Sequence, residues 1–153
     1  MLQEDGTMAI ARSQGWLRGV HHVALHVQDL ARSRQFYGEI LGLAELTDDQ
    51  VPSTLRPLVE AGQVANFRLP DGVILDLFAA PKLQPPDPDP SQEFTRFAHL
   101  AFDIAPEQFD AAVQILQEQN VAIAQGPVSR PTGRGVYFYD PDGTLLEIRC
   151  DPS

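Results

Sequence analysis

The sequence predicts an α+β fold made of two βαβββ modules whose strands form a cupped sheet. Three observations carry this. Leu69-Pro-Asp-Gly-Val-Ile-Leu-Asp-Leu77 reads like Asp140-Pro-Asp-Gly-Thr-Leu-Leu-Glu-Ile148, each a Pro-Asp-Gly turn followed by a carboxylate inside an apolar run. His22-Val-Ala-Leu-His-Val27 matches His99-Leu-Ala-Phe-Asp-Ile104 residue type by residue type. Each histidine run is followed by a segment with helical periodicity. The histidines are 99 − 22 = 77 residues apart and the carboxylates 147 − 76 = 71, so a six-residue length change lies in a loop between them.

The elements follow in order. Asp29 is an N-cap for a helix over Leu30–Leu41, where Leu30, Ser33, Phe36/Tyr37 and Ile40/Leu41 recur at helical spacing and Gly42 supplies the stop. Pro106 suits the first turn of the second helix, which carries Phe109, Ala112/Val113 and Leu116 and ends at Asn120. Strands are predicted over 64–69 and 73–79 in the first module and 136–139 and 144–150 in the second, each pair joined by its Pro-Asp-Gly turn. The stretch 48–60 reads as a loop or a short helical turn. Residues 1–16 lack periodicity and read as a tail. A single domain then spans 17–151: module one over 17–80, a stiff proline-rich linker over 81–93 and module two over 94–151.

Composition narrows the function. The 153 residues are 43% hydrophobic and 21% charged, a globular balance with room for one real core. A net charge of −10 opposes binding to nucleic acid or an anionic membrane, so neither is an expected partner. The single cysteine, Cys150, excludes an internal disulfide. The acidic start lacks the pattern of a secretory signal, and no apolar run is long enough to span a bilayer. The expectation is a cytoplasmic protein.

Strand alternation places the chemistry. Val23, Leu25 and Val27 share one face and must pack on the helix, which leaves His22, Ala24 and His26 on the other. In the same way His99, Ala101 and Asp103 share the non-helix face, as do Asp76 with Ile74 and Phe78, and Glu147 with Leu145 and Arg149. A lone strand histidine is more often a plain core or surface residue, and a strand carboxylate often only faces solvent. Here one imidazole and one carboxylate recur together in both copies. A pseudo-twofold would gather His22, Asp76, His99 and Glu147 around one divalent ion, with Zn²⁺, Ni²⁺, Mn²⁺, Fe²⁺ and Co²⁺ all compatible with the donor set.

These residues resemble the vicinal oxygen chelate superfamily, which includes glyoxalase I, extradiol dioxygenases, fosfomycin-resistance transferases, methylmalonyl-CoA epimerases and bleomycin-binding proteins. The resemblance rests on His22-Val-Ala-Leu, on Asp29-Leu-Ala-Arg-Ser-Arg-Gln-Phe-Tyr-Gly-Glu-Ile-Leu-Gly-Leu43, on His99-Leu-Ala-Phe and on Tyr139-Asp-Pro-Asp-Gly-Thr-Leu-Leu-Glu147, and it covers residues 18–150. It implies that His22, His99 and Glu147 hold the common metal positions. Asp76 falls where glyoxalase I-like members carry a fourth ligand, usually Glu. The leading implied activity is a glyoxalase I-like lyase or isomerase reaction on a small α-keto or hemithioacetal compound through a metal-stabilised enediolate, with Glu147 or Asp76 moving the proton. An Fe²⁺ extradiol-type dioxygenase and a non-catalytic drug-binding protein are the other two readings. Fosfomycin transferases carry threonine two residues after the first histidine, where this chain has Ala24, and late basic residues, where it has Asp151-Pro-Ser153. Both differences argue against that activity.

Other residues are secondary candidates. His26 sits where glyoxalase I-like members have an arginine contacting glutathione, and it is a candidate acid/base group. Arg149 shares the face of Glu147 and is a candidate for a substrate carboxylate. Arg134, in Arg130-Pro-Thr-Gly-Arg-Gly135, is a candidate anion-binding rim in what reads as a solvated basic loop. His21 is expected on the opposite face in a structural role, and Cys150 on the helix side. The stiff linker favours a homodimer in which modules swap between chains.

Overall fold

In the computed structural model, residues 17–84 and 99–153 are described. The tail 1–16 and most of the linker lie outside the described residues. The first module runs β1 (His22–Val27), α1 (Leu30–Arg34) continuing as a π-helical segment (Gln35–Ile40), β2 (Ala44–Glu45), a 3₁₀ turn (Asp48–Gln50), α2 (Arg56–Glu60), β3 (Val64–Arg68) and β4 (Ile74–Ala79). The second runs β5 (Leu100–Asp103), a 3₁₀ turn (Pro106–Gln108), α3 (Phe109–Glu118), β6 (Ile123–Arg130), β7 (Gly133–Tyr139) and β8 (Leu145–Cys150).

Each module forms a four-stranded mixed sheet, ordered β1-β4-β3-β2 and β5-β8-β7-β6. In both, the histidine strand lies at an edge and runs parallel to the carboxylate strand. The helix signals act as the sequence indicates. Asp29 accepts a hydrogen bond from the Arg32 N–H at 3.1 Å, Gly42 turns left-handed at φ 73°, and Asn120 does the same at φ 55°. The first helix is α-helical only to Arg34, because Leu41 N–H bonds the Phe36 carbonyl and Leu43 N–H the Tyr37 carbonyl, which widens the turn. Residues 130–135 are no loop: β6 runs to Arg130 and β7 begins at Gly133, so only Pro131 and Thr132 turn the hairpin.

One apolar core serves both modules. Val27, Phe36, Tyr37, Phe67, Leu75 and Leu77 of the first join Phe109, Leu116, Val136, Phe138, Leu146, Ile148 and Cys150 of the second. The modules therefore pack through their helix-bearing faces, with the Phe36 and Phe138 rings 6.4 Å apart. At one end of this seam the second module's Pro-Asp-Gly turn docks on the β1–α1 junction. Asp142 accepts bonds from the Gln28 N–H (2.9 Å), the Arg32 guanidinium (3.3 Å) and the Ser33 hydroxyl (3.4 Å). Tyr37 donates its hydroxyl to Asp140 at 2.8 Å. The counterpart end is open. There Leu69 stands in place of Asp140, and a cleft of about 890 Å³ separates the first module's turn from Ile104, Gln108, Ala111 and Ala112 of the second.

Candidate metal centre

The strand ladders repeat the sequence duplication in register. Ala24 stands opposite Asp76, and Ala101 stands opposite Glu147. Each histidine lies two residues before its alanine, so His22 relates to Asp76 as His99 relates to Glu147. Burial follows the expected alternation: His22, Ala24 and His26 are exposed, while Val27 is fully buried. On β8, Leu146, Ile148 and Cys150 are buried, which leaves Glu147 and Arg149 on the open face.

The second module already brings its pair into contact. His99 Nε2 lies 3.0 Å from Glu147 Oε2, and the His99 ring packs edge-on to Tyr137 with centroids 5.5 Å apart. The backbone makes room for this carboxylate, since a Cβ on Gly135 would lie 2.8 Å from Glu147 Oε1. In the first module Asp76 is buried and accepts a 2.6 Å bond from Asn66 Nδ2. Asn66 Oδ1 is buried with no hydrogen-bond partner among the described residues. A buried acceptor facing no donor beside a buried carboxylate is costly in a closed core and suits a site that receives a cation or a ligand donor. Two imidazoles, Glu147 in its glycine cradle and this acceptor pair thus fit a divalent ion by donor type.

The four donors do not meet in one chain. Among the described residues no three His, Cys, Asp or Glu side chains come close enough to share an ion. The physical reason is the packing: the modules meet through their helix sides, so the two histidine-bearing faces point away from their common core. The pseudo-twofold gathering expected from the sequence is therefore not made within one chain.

The remaining candidates separate. Arg134 is corrected: it projects to the helix side, its guanidinium 4.4 Å from the Phe109 ring centroid and 2.8 Å from Asp110, with the sheet between it and Glu147. Arg149 is on the face of Glu147, but Asp103 and Asp151 hold it at 2.7 and 2.8 Å, and it also donates to the Thr132 carbonyl at 3.1 Å. The bonds to Asp151 and then Asp103 raise its pKa further. His26 is exposed on the His22 face. His21 is also corrected: its ring is exposed and lies against His22, with Nδ1 to Nδ1 at 2.9 Å. Cys150 is buried on the helix side as alternation requires. The sequence reading missed Asn66, Gly135 and Tyr137. The alternation that placed Glu147 finds the last two, because Val136 and Phe138 are core residues. Asn66 is legible as the polar member of Val64-Ala-Asn-Phe67, the same anomaly that marked Asp76.

A family model described as the Glyoxalase/Bleomycin resistance protein/Dioxygenase superfamily matches residues 19–148. The uncharacterized protein YaeR of Escherichia coli (strain K12) is 33% identical over 135 residues, 86% of this chain and 95% of that one. The metallothiol transferase FosB of Shouchella clausii (strain KSM-K16) is 30% identical over 134 residues, 86% of this chain and 80% of that one. Among solved structures, a glyoxalase/dioxygenase from Nostoc punctiforme is 63% identical with a TM-score of 0.84, covering 95% of this chain and 97% of the other.

Proposed function

Because the chain belongs to the glyoxalase/bleomycin resistance protein/dioxygenase superfamily, we propose that it is a metal-dependent enzyme performing glyoxalase I-like proton transfer on a small α-keto or hemithioacetal compound. The observation that carries this is the shared register of His22 with Asp76 and of His99 with Glu147. His22, His99 and Glu147 would hold the ion, with Zn²⁺, Ni²⁺, Mn²⁺, Fe²⁺ and Co²⁺ all compatible. When bound, it would supply positive charge where an oxyanion develops as a proton leaves the carbon beside a carbonyl. Asp76, fixed through one oxygen by Asn66, accepts that proton, and His26 stands on the same face as a second acid/base group. The FosB relative, by its name a metallothiol transferase, supports metal-assisted chemistry with a thiol, as a hemithioacetal substrate requires.

The site is completed by a second copy of the chain. Both histidine strands are sheet edges, which leaves a row of main-chain groups open to a neighbour. Module one of one chain beside module two of another would gather the four donors that a single chain keeps apart. We place this homodimer in the cytoplasm.

Two experiments test the proposal. Untagged protein loaded with Ni²⁺ or Zn²⁺ should turn over methylglyoxal with glutathione; no rate above that of the metal-free protein overturns the activity. Mixing equal amounts of His22→Ala and His99→Ala chains should restore about a quarter of the wild-type activity, because half of the dimers are mixed and one of the two sites in each mixed dimer is intact. No recovery overturns the shared site. A dioxygenase reading is favoured by one feature: with Asp76 tied to Asn66, the other three donors form a two-histidine, one-carboxylate set. Oxygen uptake by the Fe²⁺-loaded protein with catechol would select it.

A further inference from the structure

We infer that His21 is a positioning residue for His22, its Nδ1 accepting the His22 Nδ1–H so that His22 Nε2 keeps its lone pair for a cation. The inference rests on the reading of His22 as a ligand. The two Nδ1 atoms are 2.9 Å apart, and the rings meet edge to face with centroids 5.1 Å apart and planes at 87°. At this distance one nitrogen donates and the other accepts. If His21 donated, neutral His22 would carry its proton on Nε2 and that nitrogen could not bind a metal. If His22 donates, Nε2 is free. Only the second arrangement is competent.

A ligand histidine usually donates its other ring N–H to a carboxylate, a carbonyl or water. Among the described residues the only hydrogen bond that the His22 ring makes is the one it shares with His21. An imidazole therefore takes that part. The main chain fixes it there, since Ile74 N–H bonds the His21 carbonyl at 3.1 Å just ahead of β1. The second module has no such arrangement: the residue before His99 is Ala98, and His99 instead meets Glu147. The two histidines of the duplication are thus oriented by different means.

The test uses the full-length untagged protein. It has only four histidines, so their ring nitrogens can be resolved by ¹⁵N NMR at about pH 8, above the ordinary imidazole range. Metal-free wild type should show His22 with its proton on Nδ1, and His21→Phe should move it to Nε2. Zinc competition against a chromophoric chelator should show His21→Phe weakened by about 10- to 100-fold. His21→Asn, which restores an acceptor, should recover most of that loss. An unchanged His22 tautomer in His21→Phe overturns the inference, as does His21→Asn binding no better than His21→Phe. If the wild type itself fails to bind zinc, the metal reading falls, and the tautomer measurement still judges His21.

Discussion

Gly135 faces Glu147 so closely that a Cβ on it would stand 2.8 Å from the carboxylate Oε1. The backbone there is not left-handed, so Gly135→Ala is strained only by that contact. The substitution should push Glu147 off His99 and weaken zinc binding by about 10- to 100-fold. Chelator competition reads the loss, and an unchanged far-UV spectrum shows that the sheet persists.

Asn66 and Asp76 form the other tuned contact. Asn66→Leu removes the donor at 2.6 Å and leaves Asp76 buried with one bond fewer. The expected cost is about 1–3 kcal/mol, read from urea unfolding. Asp76→Asn separates the roles proposed for the acids: turnover should fall while zinc affinity stays near wild type. An equal loss of both would make Asp76 a ligand.

Tyr37 and Asp140 give a pH dependence. Burial raises the Asp140 pKa above its ordinary 3.8, against the bonds from Tyr37, Thr144 and Asp142 that hold it down, and burial raises Tyr37 strongly as well. A carboxyl whose folded pKa is raised contributes stability that is fully present below 3.8 and lost as pH rises through the folded value. Relative to Asp140→Asn, wild type should therefore gain melting temperature as pH falls into that window. Tyr37→Phe should cost about 1–3 kcal/mol at neutral pH, because it strips a donor from a buried acid.

Arg134 supplies a negative control. Because it lies on Phe109 and Asp110 behind the sheet, Arg134→Ala should leave turnover and zinc affinity unchanged. It should cost about 0.5–1 kcal/mol of stability through the lost cation–π contact. A raised KM would return it to the substrate site.

The duplication was legible because both copies keep the same register signals: a histidine, an alanine opposite a carboxylate, and a Pro-Asp-Gly turn. Alternation assigned faces correctly to His22, Asp76, His99 and Glu147, since a period of two leaves no other way to bury Val23, Leu25 and Val27. It was not applied to Arg134, whose segment read as a loop, although Gly133 starts β7 and sends Arg134 to the side of Val136 and Phe138. His21 escaped because it precedes β1, where pleating does not yet dictate direction. The back-to-back packing was not legible at all. Alternation reports which face of a sheet is apolar, and both modules have one; it does not say which apolar faces choose each other.

The seam between the modules is fastened unevenly. Asp140 and Asp142 pin one end through Tyr37, Ser33, Arg32 and the Gln28 N–H, while Leu69 leaves the other end gaping. A relative rotation of the halves therefore costs least about the pinned corner, like a book opening from its spine. His22 and His99 ride on separate covers of that book, so in the protein any such tilt resets the span between the two imidazole strands.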